Sequence, residues 1–158
     1  FPQDARHQLF EAIKAVYHHW DSERCCRYRQ LHRFLDSWGT AVTVQAMVFG
    51  NKNGRSAAGV GFTRNPSNGE RGLCGEFLLN AQGEDLKAGI RQAHVIGKGQ
   101  KEATGSYLKS LEEMMPEAYQ RLLEIAEQLE NYYKETQEIE FTIDDGKLYL
   151  LETHSANK

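Results

Sequence analysis

The sequence predicts an α+β fold, an antiparallel sheet packed with helices, and three observations carry that expectation. Apolar residues recur with helical spacing near the N-terminus and again over 117–135. Three short apolar runs, 41–49, 58–64 and 75–79, are separated by turn chemistry, and residues 138–152 read as two strands around Asp145-Gly146. Strands joined by such short turns form an antiparallel meander.

Near the N-terminus, Asp4 is placed to cap a helix through Leu9, Phe10, Ile13, Val16, Tyr17 and Trp20, and Ser22 with Glu23 restarts a helical stretch toward Leu35. The second stretch interleaves Arg24, Arg27, Arg29 and Arg33 with Tyr28 and His32. Such a mixture could hold phosphate or RNA, but a solvated or salt-bridged face is the simpler expectation for arginines on a helix. After Trp38-Gly39-Thr40, residues 41–49 are almost continuously apolar, the pattern of a strand covered on both faces. Residues 51–57 make a polar turn, 58–64 a second strand, Asn65-Pro66-Ser67-Asn68-Gly69 another turn, and 75–79 a third strand.

Residues 80–85 are expected to be a loop, with Asp85 either capping a short segment over 86–91 or serving a site. The polar stretch 92–106, with glycines at 97, 99 and 105, predicts a mobile, adaptable loop. Backbone N–H groups there could close over phosphates, although neither a Walker spacing nor Gly-x-Gly-x-x-Gly is present. A short helix over 107–115 ends before Pro116. That proline suits the first turn of a longer helix, 117–135, with Tyr119, Leu122, Leu123, Ala126, Leu129 and Tyr133 on one side.

In the C-terminal hairpin, Glu138, Glu140 and Thr142 alternate with Ile139, Phe141 and Ile143, and the loop length decides where Glu152 points. A two-residue Asp145-Gly146 turn pairs Ile139 with Glu152 and drives a carboxylate onto the apolar face, at a cost on the order of several kcal/mol. A three-residue loop, Asp144-Asp145-Gly146, pairs Ile143 with Lys147 and sets Glu138 opposite Glu152. This is the expected register, because it gathers Glu138, Glu140, Glu152 and His154 on one face and Ile139, Phe141, Ile143, Tyr149 and Leu151 on the other. Like charges set opposite one another are stable in water or under a cation, and oxygen-only ligands suit Mg²⁺ or Mn²⁺. A solvated face with scattered glutamates is the plainer alternative.

A chain of 158 residues suits one compact domain or a substantial piece of a larger one, and a start without methionine points to a processed chain or a fragment. The formal charge of −3 gives no general reason to expect nucleic acid or a membrane surface as partner, and no apolar run approaches a membrane span. Three cysteines, an odd count without metal-ligand spacing, point to reduced thiols in an intracellular, cytoplasmic setting, with a plastid or other organelle left open. Cys25 and Cys26 are expected as thiols on a helix, and Cys74 as a half-buried strand-end thiol rather than a nucleophile.

Several motifs in one order now bear on family. Phe1-Pro2-Gln3-Asp4, Trp38-Gly39-Thr40-Ala41-Val42, Met47-Val48-Phe49-Gly50-Asn51, Phe62-Thr63-Arg64-Asn65-Pro66-Ser67, Asn80-Ala81-Gln82-Gly83-Glu84-Asp85 and Glu140-Phe141-Thr142-Ile143 together resemble the nucleotide-binding domain of the pyruvate phosphate dikinase family. The resemblance runs from end to end and is weakest over 94–113. It implies an ATP-grasp-type subdomain, a partial nucleotide-binding domain over 1–158. Its parts would be a helical segment (1–37), antiparallel strands and loops (38–92), a mobile loop (93–106), helices (107–135) and a metal-site hairpin (137–153).

It also implies the family reaction, in which ATP, phosphate and pyruvate give AMP, pyrophosphate and phosphoenolpyruvate through a phosphohistidine. The N-terminal ATP-grasp lobe, the phosphohistidine domain and the pyruvate-binding barrel would lie outside the chain, which alone is expected to be inactive. The full-length enzyme could be a homodimer. Mg²⁺ and ATP are the implied cofactors. Glu138, Glu140 and Glu152 fall at metal positions, Gln45, Met47 and Val48 on the strand bordering adenine, Thr63 and Arg64 beside the phosphates, and Glu84 toward the phosphate and metal region. Glu152 also stands beside the phosphates.

The hairpin departs from the family where it ends. The family usually reads Leu-Gln-Thr-Arg, and this chain reads Leu151-Glu152-Thr153-His154. Arginine is a permanently charged, bidentate phosphate clamp, and histidine cannot make the same fork. His154 therefore holds a catalytic position with a different chemistry. That motivates an alternative reading, a non-catalytic nucleotide-binding or interaction module derived from the ATP-grasp fold.

Overall fold

The structure is a computed structural model and describes residues 2–156. The chain divides into two units, Phe1–Ala46 and Met47–Lys158.

In the first unit, α1 (Ala5–Trp20) starts where Asp4 Oδ1 accepts the His7 amide at 2.8 Å. α2 (Glu23–His32) starts at Ser22 and stops when Arg33 turns into the left-handed region (φ 58°), so the helix ends short of Leu35. A short 3₁₀ turn, Asp36–Trp38, follows. Arg29 is not solvated: it is 5% exposed, its guanidinium lies 4.0 Å over the Trp20 ring, and it donates to Asp36 Oδ1 (2.8 Å) and to the Trp20 carbonyl (2.5 Å). A planar, always-charged fork suits this stacked and hydrogen-bonded clamp. Arg27, by contrast, makes an exposed ion pair with Glu23.

In the second unit, β1 (Ala57–Arg64), β2 (Arg71–Leu79), β3 (His94–Val95), β4 (Gln137–Asp144) and β5 (Lys147–Ser155) form the sheet of the described residues. Its order is β3-β2-β1-β4-β5 and every pairing is antiparallel. Residues 41–49, expected as a covered strand, carry no strand and stay largely exposed, with Val44, Met47 and Phe49 at 64, 68 and 43%. Apolar composition reports an affinity for burial and not the presence of a partner strand.

The loop expected over 80–85 ends early in α3 (Gly83–Ala88), where the Gln82 amide donates to Asp85 Oδ2 at 2.8 Å. Asp85 is therefore a capping residue inside the first turn, and the helix precedes the 86–91 segment expected. The stretch 92–106, expected as a mobile loop, contains β3 and α4 (Lys98–Thr104). Gln100 Oε1 accepts the Gly75 amide of β2 at 3.0 Å, which fastens α4 to the sheet. The helix expected over 107–115 shortens to α5 (Leu111–Met114), begun by a reciprocal cap between Ser110 and Glu113.

α6 (Pro116–Tyr133) has Pro116 at its first position and lays Ala118, Leu122 and Ala126 on the sheet, while Tyr133 is 47% exposed and off that face. Phe77, Ile96, Leu111, Leu122, Ile139, Phe141 and Ile143 form the core, and their removal from water is the main force holding helix to sheet. Gly59 is required there: a Cβ would stand 2.3 Å from Phe141 Cζ and 2.8 Å from the Glu76 carbonyl oxygen.

The β4–β5 turn overturns the expected three-residue loop. Asp144 pairs with Lys147, leaving Asp145 (φ 50°) and Gly146 (φ 86°) as a two-residue turn, and positive φ at both positions is the type I′ geometry that matches strand twist. Arg55 grips Asp145 Oδ1 (2.6 and 2.9 Å), Ser56 Oγ accepts the Asp145 amide (3.0 Å) and the Gly146 amide donates to the Arg55 carbonyl (2.8 Å), so the turn is pinned from outside the hairpin. A bulge then corrects the faces. Phe141 pairs with Leu150 but Glu140 pairs with Glu152, so Leu151 is the extra residue. Glu138 lies opposite His154, not Glu152, and Tyr149 shares the Thr142 face rather than the core face.

Candidate functional site

Cross-strand partners point to the same side of a sheet. Two rows therefore run across the face away from Phe141: Glu76, Val60, Glu140 and Glu152, and beside it Cys74, Phe62, Glu138 and His154. The turn alone would have set Glu152 against Ile139; the bulge at Leu151 returns it to this face. Glu138 and Glu140 are half-buried, Glu152 and His154 exposed.

A cation already stands on these carboxylates. Lys87, on α3, places Nζ 3.0 Å from Glu140 Oε1. The hydrogen bond to Glu140 is the largest reason its ammonium is held above the ordinary lysine value, the charge of Glu140 comes next, and Glu152 and Glu138 add their fields. Across the face His154 Nε2 lies 3.3 Å from Glu152 Oε1. Among the described residues no three His, Cys, Asp or Glu side chains are drawn together closely enough to hold a metal ion as they stand; Glu140 is turned to Lys87 and Glu152 to His154 instead. Carboxylate oxygens are the donor type that hard divalent cations take, and here they stand in a field that holds an ammonium.

The other candidate residues are distributed as follows. Thr63 is buried and its Oγ1 accepts the Gln137 amide at 3.0 Å, clipping the start of β4 to β1. Arg64 donates from Nε to Glu130 Oε1 of α6 at 2.7 Å, both side chains being about three-quarters covered (28 and 23% exposed). That bond raises the Arg64 pKa and lowers that of Glu130. Glu84 is exposed in the first turn of α3, Met47 is exposed and Val48 half-buried, while Gln45 is exposed within the first unit. The Cys74 thiol is half-buried in β2, and burial pushes its pKa up, which suits an inert thiol rather than a nucleophile.

An open cleft of about 900 Å³ adjoins the face, with Val60, Phe62, Glu76, Lys87, Arg71 and Tyr119 in its lining. Lys87 is the residue that sequence reasoning passed over. Nothing local marks it, since its partner lies on a strand far along the chain.

Residues 1–103 match the family model described as "Pyruvate phosphate dikinase, AMP/ATP-binding domain". The chain belongs to this family. Similar proteins include the pyruvate, phosphate dikinases of Rhizobium meliloti (strain 1021), 52% identical over 158 residues, and of Clostridium symbiosum, 45% identical over 158 residues. The chloroplastic pyruvate, phosphate dikinase of Mesembryanthemum crystallinum is 46% identical over 158 residues. Each comparison takes in the whole chain but only 18, 17 and 15% of the relative, so the chain spans less than a fifth of these dikinases. The carboxylate hairpin lies outside the stretch matched by the dikinase family model and inside all three of these alignments. Among the described residues no helix is long and apolar enough to cross a membrane.

Proposed function

We propose that this chain is the ATP- and Mg²⁺-binding part of a pyruvate phosphate dikinase, with Glu138, Glu140 and Glu152 holding the metal. The observation that carries the proposal is the Lys87 ammonium seated on Glu140, within the field of the other two carboxylates. A face that draws an ammonium onto Glu140 is built for positive charge.

The chemistry such an ion supplies is neutralisation of phosphate oxygens during phosphoryl transfer. What the chain itself contributes is position. The bulged hairpin holds Glu140 beside Glu152, the helix-covered face of the sheet keeps those strands rigid, and Thr63 locks β4 to β1. Arg64, fixed to Glu130, anchors the end of β1 next to the loop proposed to lie beside the phosphates. Gln45, Met47 and Val48 would border adenine, and Glu84 would face the phosphate and metal region. Transfer to pyruvate would require a complementary ATP-grasp lobe, a phosphohistidine domain and a pyruvate-binding barrel in the full-length protein, which could be a homodimer in the cytoplasm or a plastid.

Calorimetric titration of Mg-ATP into the full-length protein tests this. Glu140→Gln should weaken binding by about tenfold or more, the scale seen when groups supporting a metal are removed; unchanged affinity overturns the assignment. The pairing of His154 with Glu152 favours a second reading, a nucleotide-binding module without turnover. Measurable turnover in the wild type excludes it, while a silent wild type that gains activity on His154→Arg supports it.

A further inference from the structure

We propose that Lys87 is the tethered counter-ion of the carboxylate face, and that a divalent cation binds there only by displacing its ammonium from Glu140. The inference rests on the reading that this face holds a metal, and adds the residue that sets how tightly.

The geometry that carries it is the ion pair of Lys87 Nζ with Glu140 Oε1 at 3.0 Å, made between helix α3 and strand β4. Glu140 is the most covered member of that pair, with its side chain 26% exposed, whereas the Lys87 side chain is 66% exposed. The carboxylate is therefore held by the sheet, while the ammonium reaches it from the solvent side on a flexible stem and can leave without opening the core. The other groups facing the ammonium are Glu152 and Glu138, both attractive to it. Of the other nitrogen-bearing side chains on the face, His154 is turned to Glu152 and Lys147 lies over the Tyr149 ring.

An ammonium and a divalent cation cannot share one carboxylate without strong mutual repulsion at such separations. Binding of the metal therefore carries the cost of breaking the Lys87 pair. A displaced ammonium has somewhere to go, because Lys87 also lines the adjoining cleft. Breaking an exposed pair of this kind should change the affinity by only about 1.4- to 5-fold.

The test is Mn²⁺ binding, with MnCl₂ alone as the probe and free Mn²⁺ read by electron paramagnetic resonance, in the full-length protein. Lys87→Gln, and Lys87→Met with its aliphatic stem kept, should both bind Mn²⁺ more tightly than wild type within that range, while Lys87→Arg stays near wild type. Glu140→Gln is measured beside them and should lose most of the binding. If Glu140→Gln loses binding but neither neutral Lys87 variant gains it, the counter-ion role is overturned and the metal face stands. If Glu140→Gln binds Mn²⁺ as wild type does, the metal face fails, and the Lys87 role with it.

Discussion

One face of the sheet sets Ile139, Phe141 and Ile143 against α6; the other sets Glu138, Glu140 and Glu152 under Lys87. The same β4 residues in alternation serve both, yet the two faces are governed by different physics. The covered face is fixed by volume and by exclusion of water, so each side chain is held by many neighbours. The acidic face is fixed by register, and a single extra residue, Leu151, decides which charges share it. Stability should therefore reside on the first face and binding on the second, and substitutions can separate the two.

The largest effect is expected from Phe141→Ala, which empties a site 1% exposed in the centre of the core. It should cost about 3–5 kcal/mol in urea unfolding. A loss below about 1 kcal/mol would mean that the covered face does not carry the fold. Next comes the turn. Gly146→Ala places a side chain at φ 86° and should cost about 1–2 kcal/mol while leaving m unchanged.

Smaller, and confined to acid, is the contribution of Glu113 at the start of the helices that cover the sheet. The backbone hydrogen bond from Ser110, and after it the Lys101 ammonium, hold its carboxyl at about 2, against an ordinary 4.5. A depressed folded pKa gives stability that is present above the unfolded value and is lost as pH falls toward the folded one. Stability should therefore decline between about pH 4.5 and 2, and Glu113→Gln should flatten that decline in pH-dependent melts. The smallest stability effect belongs to Glu152→Gln. Relieving a like charge opposite Glu140 should leave unfolding within about 0.5 kcal/mol of wild type, or slightly stabilise it.

The covered face was legible in the sequence because helical and alternating periodicities report burial directly: Leu122 and Ala126 on α6, and Ile139, Phe141 and Ile143 on β4, all fall where their spacing puts them. The carboxylate face was legible in membership but not in mechanism. The requirement that charge and apolar side chains part company is a property of the finished sheet, and two devices meet it equally well: a three-residue loop or a two-residue turn followed by a bulge. The choice between them was made by Arg55 and Ser56, which pin Asp145 from another part of the chain. Tertiary contacts of the same kind hid Lys87, turned Arg64 toward Glu130, and gave 92–106 a helix despite its glycines. Residues 41–49 failed in the opposite sense, since an apolar run predicts a wish to be buried and not the presence of a partner.

Anomalous diffraction from crystals of the full-length protein soaked in MnCl₂ with ATP tests the metal role of the carboxylate face. A manganese peak should be bound by carboxylate oxygens of Glu138, Glu140 and Glu152 at roughly 2 Å, with Lys87 no longer on Glu140. A peak elsewhere, with the Lys87–Glu140 pair intact, would contradict it.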